Sequence, residues 1–510
     1  MDIREVAVIG LGTMGAGIAE VFARAGISVI AIEADPQAMS VGLGHLDASL
    51  SKAVSRGKLP ASEQANIRAR VRPAAAFSDA AAVDLAVEVV PERMEIKRQI
   101  FAELDRVTSP SAILATNTSS LSVTAIAAAT KHPDRVVGMH FFNPAPVMRL
   151  VEVITTVLID NGVADAVTDL ARRLGKTPVQ VGDRAGFVAN ALLLPYLNQA
   201  LELLEIGYAS REDIDMAATG GIGLPMGPLA LLDLIGLDTA LSIMEVLHAE
   251  FGFMRYKPAP LLRRLVDAGR TGRKTGRGIY DYAAGGDLGG TETSSSAPDT
   301  VTLIGSGDEA ETELATALAS AGVNVTRNAA HPTELVLIAA TPGRRVLPAA
   351  LAAGRPEHAV GLHMPRGLGH GHLAELIRTS LSTDKAMASA AALADKLGLA
   401  VVRAPDRPGF LVGAVLYPHL ADAVRMVQDG YATAAEIDTA MVLGCGYPQG
   451  PFELLEAADP SVVLAGLREM QDAYGFPALA PPVLLAEHAA VGIQWANGRS
   501  GPGARVGGGG

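Results

Sequence analysis

A chain of 510 residues is longer than one hydrophobic core usually serves and predicts three or four domains. With 49% hydrophobic and 19% charged residues it can bury those cores, which excludes extensive disorder. A net charge of −12 argues against nucleic acid, whose phosphate backbone is bound by clustered Lys and Arg. The single cysteine, Cys445, cannot form an internal disulfide and has no paired metal ligands around it, so a reducing compartment and no metal are expected. The start MDIREVAVIG lacks the pattern of a secretion signal, and uncharged runs such as residues 185–201 are short and hold Asn190, Pro195, Asn198 and Gln199. Together these features predict a cytoplasmic enzyme or binding protein with no membrane partner.

The opening VAVIG is a short β-branched run broken by GTMGAG, after which IAEVFARAG continues at helical spacing into a second strand-like run, SVIAIE. This strand, turn, helix, strand unit predicts a parallel crossover, and Gly10, Gly12 and Gly15 place G-x-G-x-x-G at its turn. In that setting the first glycine permits the tight turn, the second lets backbone approach a pyrophosphate, and the third lets helix pack on strand. The helix N-terminus adds partial positive charge. Glu33, at the end of SVIAIE, is placed to accept from a ribose 2′-hydroxyl and to repel a 2′-phosphate. NAD is therefore favoured over NADP, the alternative being a glycine turn that only packs a helix.

Residues 36–72 keep helical spacing with mixed charge, including Ser49 and Arg56, and read as a helical excursion. DLAVEVV, AILATN and RVVGMHFF are further short strands, so an α/β Rossmann-type dinucleotide-binding domain is expected over residues 1–184. Oxidation of a secondary alcohol needs a base, and His140 ends its strand at the C-terminal edge, where ligands of open sheets bind. Glu152 follows beyond the reversal NPAP, so two strands could return its carboxylate to the imidazole and fix the tautomer. Taken alone, a histidine in a strand is more often a core residue.

Over residues 185–282 strand signals give way to helices separated by Gly and Pro turns, predicting an all-α domain. Residues 283–299 have the Gly, Ser and Thr content of a linker. Beyond it the pattern of residues 137–228 recurs without a gap, and at a constant offset, at residues 360–451. His363 and Glu375 answer His140 and Glu152, but Gly413 stands for Asn190. The interval from Gly10 to His140 is more than double that from Gly305 to His363. A truncated Rossmann-like segment is therefore expected over 300–404, then a second all-α domain over 405–500 and a tail over 501–510. The second glycine turn, GSGDEAE, has Ala310 for the third glycine and carboxylates at the helix start that would repel a pyrophosphate. One cofactor per chain is expected.

The first half resembles the 3-hydroxyacyl-CoA dehydrogenase family through VIGLGTMGAGIA, VVPERMEIKRQIFAELD, ATNTSSLSVTAIA, VVGMHFFNPAPVMRLVEVI, DRAGFVANALL and GRKTGRGIYDY. The resemblance implies oxidation of an L-3-hydroxyacyl-CoA to the 3-ketoacyl-CoA with NAD. It makes His140 the base, Glu152 its partner, and Ser119 and Asn190 the groups that hold the substrate oxygen. Glu92, Lys97, Asn117 and Asn143 would lie along the cofactor, with Thr13 and Met14 in the glycine turn, and Ser49 and Arg56 would meet the nucleotide end of coenzyme A. Each has a bland alternative: a solvated helix start for Glu92 and Lys97, a helix cap for Ser119, a turn for Asn190. The C-terminal half resembles the same family's helical domain repeated, as in long bacterial members including 3-hydroxyadipyl-CoA dehydrogenases of phenylacetate degradation. It implies an internal pseudo-dimer of helical domains, with pairing of whole chains as a further option. The rival readings are a 3-hydroxybutyryl-CoA specialist, a dehydrogenase of a free hydroxy acid such as gulonate, and a non-catalytic NAD-binding protein.

Overall fold

The computed structural model describes residues 2–282, 296–305, 307–327, 333–365, 372–492 and 495. The expected linker, apart from residues 296–299, and the expected tail lie outside them. Two compact units divide the chain: Met1–Ala191 with Thr439–Gly446, and Leu192–Asp438 with Tyr447–Gly510.

In the first unit eight strands form one sheet: β1 (Glu5–Ile9), β2 (Ser28–Ile32), β3 (Val71–Ala74), β4 (Leu85–Glu88), β5 (Ile113–Thr116), β6 (Val136–Phe141), β7 (Leu150–Thr155) and β8 (Thr177–Gly182). Their order is β3-β2-β1-β4-β5-β6-β7-β8. Neighbours run parallel except β6 and β7, which are antiparallel. The inner strands β4, β5 and β6 are buried along their whole length, as strands covered on both faces must be, which explains their unbroken apolar runs. The edge strand β3, VRPA, begins inside the stretch read as helical, with Val71 and Arg72, and runs two residues beyond it. So short a strand, interrupted by Pro73, gives no periodic signal, and an edge is where a proline is tolerated. The excursion itself is two helices, Pro36–Ser55 and Ala61–Ala69, the first capped by Asp35, whose side chain accepts from Gln37 N at 2.9 Å. Gly42 pins that helix to the glycine turn, since a β-carbon there would lie 2.0 Å from the Leu11 carbonyl oxygen.

In the second unit six strands, β9 (Thr300–Ile304), β10 (Asn324–Arg327), β11 (Val336–Ala339), β12 (Ala359–His363), β13 (Leu373–Arg378) and β14 (Ala400–Pro405), take the order β10-β9-β11-β12-β13-β14. Strand β11 stands one repeat offset after β5, so the repeat reaches further back than its side chains reveal. The stretch missing from the second copy is thereby located. It would have held the two excursion helices, β3, β4 and the helix equivalent to Met94–Val107. The sheet closes over the loss because β9 and β11 are parallel and pair directly, as β1 and β4 do in the first copy. Among the described residues the other elements of the second unit are helices, with isolated bridges among Gly272, Arg277 and Asp281.

Candidate active site

Strands β6 and β7 face each other with His140 opposite Glu152, and the imidazole Nδ1 lies 2.7 Å from Glu152 Oε2. A carboxylate only accepts, so Nδ1 donates, and in the neutral imidazole Nε2 carries the lone pair. The other carboxylate oxygen accepts from Val188 N at 3.0 Å and Ala189 N at 3.1 Å, where the helix Ala189–Glu205 begins. Glu152 is fully buried, and these three bonds are what make that burial tolerable. Phe187 adopts a left-handed φ of 48° just before those amides and sets its ring 5.7 Å from the imidazole. Phe142 covers the imidazole more closely, at 4.5 Å and 52°.

The loop after β5 lies beside this pair, held by Asn117 Oδ1, which accepts from Phe141 N at 2.8 Å. Glu92 gathers the loop: its Oε1 accepts from Thr118 Oγ1 at 2.5 Å, Ser119 N at 3.0 Å, and Ser120 N and Oγ at 3.2 Å. Burial alone would raise the Glu92 carboxyl, but Lys97, the Thr118 hydroxyl and the Ser119 amide together hold it below its ordinary range. Asn190 reaches Ser119 through its Nδ2, 3.4 Å from the Ser119 carbonyl oxygen. Asn143 is exposed beyond β6. Ser49 is half-buried and Arg56 exposed at the end of the helix Pro36–Ser55.

Lys97 departs from both of its expected roles. It is neither a solvated residue nor a lining one, because its ammonium is wholly buried, 2.8 and 3.0 Å from the two oxygens of Glu88 and 3.3 Å from Glu92. Its link to the Ser119 loop runs through Glu92. Glu88 is a site residue that the sequence pattern did not single out. It ends β4, buried, and also accepts from Thr116 Oγ1 and Val90 N at 2.7 Å. The available signal is a carboxylate inside the apolar run DLAVEVV, which demands a buried cation.

The glycine turn meets the steric test for a dinucleotide. Gly10 has φ 91°, a β-carbon on Gly15 would lie 1.9 Å from the Gly10 carbonyl oxygen, and one on Gly12 would meet nothing within 4 Å. Thr13 and Met14 open the helix Thr13–Arg24, whose first turn carries no acidic side chain. Glu33 stands at the end of β2, its Oε2 accepting from Leu11 N at 3.3 Å. The residues fit NAD.

In the second copy the same backbone is closed. Glu311, buried, turns its Oε2 onto Gly307 N at 2.7 Å, and Asp308 caps the helix Glu309–Ser320. An internal carboxylate thus takes the amide that a phosphate would need. His363 Nδ1 still meets Glu375 Oε2 at 2.6 Å, and Glu375 Oε1 accepts from Leu411 N and Val412 N at 2.8 Å. A β-carbon on Gly413 would lie 2.6 Å from Tyr417 Cε2, so that ring occupies the space of the asparagine side chain. Pro342 stands at the offset position of Ser119.

The model of a family described as 3-hydroxyacyl-CoA dehydrogenase, NAD binding domain, matches residues 5–184, and one described as its C-terminal domain matches residues 186–282 and again 409–499. The 3-hydroxyadipyl-CoA dehydrogenase of Escherichia coli (strain K12) is 34% identical over 492 residues, 96% of this chain and 98% of that protein. The probable 3-hydroxybutyryl-CoA dehydrogenase of Bacillus subtilis (strain 168) is 46% identical over 282 residues, 55% of this chain and 98% of that protein. A crystal structure of 3-hydroxybutyryl-CoA dehydrogenase from Escherichia coli K12 is similar at a TM-score of 0.84 and 32% identity, covering 96% of this chain and 99% of that one.

Proposed function

The chain belongs to the 3-hydroxyacyl-CoA dehydrogenase family, with an NAD-binding domain, and from that premise we propose that its first copy oxidises 3-hydroxyadipyl-CoA, with His140 as the base. The observation that carries the reading is a contrast: the copy with His140 and Glu152 has an open glycine cradle, Ser119 and Asn190, whereas the copy with His363 and Glu375 has Glu311 folded into the turn and Pro342 and Gly413 at the serine and asparagine positions. His140 Nε2 takes the proton of the substrate 3-hydroxyl as the C3–H bond breaks and the carbonyl forms. NAD, when bound, supplies the acceptor for the hydride. Glu152 balances the imidazolium and cannot swing away, because Val188 and Ala189 hold its second oxygen. Ser119 and Asn190 orient the substrate oxygen, while Lys97, through Glu92, keeps the Ser119 loop in place beside the cofactor residues.

The acyl group is proposed from a relative that matches 96% of this chain and is named for 3-hydroxyadipyl-CoA. The second reading, 3-hydroxybutyryl-CoA, rests on the more similar half-length relative and on the full-length crystal structure, both named for it. An NADH-linked assay run in the reductive direction separates them. We expect 3-oxoadipyl-CoA to give the highest kcat/KM, ahead of acetoacetyl-CoA and longer 3-ketoacyl-CoAs. Preference for acetoacetyl-CoA would select the second reading, and turnover of gulonate without any acyl-CoA turnover would reject both.

The same reading makes the second copy an internal partner for the first. Residues near the axis of a self-complementary contact meet their own equivalents, and Tyr196 lies 5.0 Å, ring to ring, from His419, its counterpart one repeat offset along the chain. Tyr208, from the first helical repeat, donates from its hydroxyl to the Phe410 carbonyl of the second at 2.7 Å. No helix among the described residues is long and apolar enough to cross a membrane.

A further inference from the structure

The last turns of the helix Ala434–Cys445 belong to the first compact unit, although they come from the second helical repeat. Gly444 makes the close approach. A β-carbon there would lie 2.6 Å from Leu150 Cδ2 and 3.2 and 3.3 Å from Phe142 Cε1 and Cζ. Leu150 opens β7, the strand that carries Glu152, and the Phe142 ring is the one set 4.5 Å from the His140 ring. Glycine inside a helix costs about 1 kcal/mol relative to alanine, so its presence here answers to the contact rather than to the helix.

We propose that the tip Thr439–Gly446 of the second repeat is a positioning element of the first copy's active site, pressing Phe142 and Leu150 so that His140 and Glu152 keep their places. The proposal rests on the reading of His140 as base. It gives the duplicated half a part in catalysis without a reaction of its own. Nearby, burial and then the Glu152 carboxylate push the Cys445 thiol up, so it brings no charge to the pair.

The repeat supplies the control. Gly221, the counterpart of Gly444, packs against Leu373, the counterpart of Leu150, with a built β-carbon 2.9 Å from Leu373 Cδ2 and 2.7 Å from Val412 Cγ2. There the position of Phe142 is taken by Pro365, so the ring that lies between the tip and the imidazole in the first copy has no aromatic counterpart at that position. The glycine-to-leucine contact is common to both copies. The connection to the imidazole through Phe142 belongs to the first.

The test uses the full chain carrying Gly444→Val or Gly221→Val, with the milder Gly444→Ala as a third variant. Both valines should lower Tm. Gly444→Val should in addition lower kcat about tenfold, with KM for the acyl-CoA and Kd for NAD within about twofold, because a small displacement of a reacting group falls on the chemical step. Gly444→Ala should show a smaller kcat loss that Leu150→Val, by removing the overlapping methyl group, restores. Gly221→Val should keep kcat within about twofold of the parent. Wild-type kcat in folded Gly444→Val or Gly444→Ala, or equal kcat losses in the two valine variants, would overturn the proposal. Failure of the base reading is separate, since it would appear as turnover retained by His140→Gln.

Discussion

The two copies carry the same histidine-to-glutamate hydrogen bond, at 2.7 Å in one and 2.6 Å in the other, on the same antiparallel pair of strands. In both, two backbone amides where a helix begins hold the glutamate's second oxygen. This constellation is therefore a property of the fold, set by strand register and a helix N-terminus, and it persists where the rest of a site is absent. What separates the copies is the access side. One has an open glycine turn with Ser119 and Asn190, and the other has Glu311 folded into the turn and Tyr417 over the missing asparagine. A preserved histidine–glutamate pair says less about activity than the space beside it.

The comparison breaks most sharply on the two histidines. His140→Gln should cut kcat by about 10²–10⁴ with NAD affinity retained, whereas His363→Gln should leave turnover unchanged, both read in the NADH-linked assay. Comparable losses in the two variants would mean that the second site takes part in the reaction.

Next in size is the cradle. Gly15→Ala should weaken NAD at least about a hundredfold, roughly 2.7 kcal/mol, because the added carbon would overlap a backbone oxygen that cannot give way. Ala310→Gly, which restores the third glycine of the second turn, should still leave one NAD per chain by calorimetry, since Glu311 keeps the Gly307 amide. A stoichiometry of two in either the parent or this variant would refute the closed-cradle account.

A third test lies at the contact between the repeats. Burial lowers His419 from 6.5 to about 4, with Asp422 opposing and Arg255 adding to the shift, and the ring sits between Tyr196 and Tyr447. The unfolded chain takes up this proton below 6.5 but the folded one resists it until about 4. Stability from the neutral ring is thus complete above about pH 6.5 and drains away as pH falls toward about 4, by about 3 kcal/mol in all. Tm measured against pH should fall over that window in the parent and fall less in His419→Leu. Parallel curves would show that the ring is not the group responsible.

Much of this was legible from residues close together in the chain. The glycine spacing announced the cradle, the apolar runs announced buried parallel strands, and a short reversal between two strands was enough to bring Glu152 back to His140. These features depend on periodicity and register, which a sequence carries locally. The constant offset also announced the duplication, and the shortened interval before His363 announced a smaller second sheet. Only the tertiary structure decided the rest. It buried Lys97 between Glu88 and Glu92, turned Glu311 onto Gly307, laid Tyr417 over Gly413, and brought Gly444 to Phe142 from the far half of the chain. Each of these is a packing contact whose partner is chosen by what space remains once the elements have assembled, and no local pattern encodes that choice.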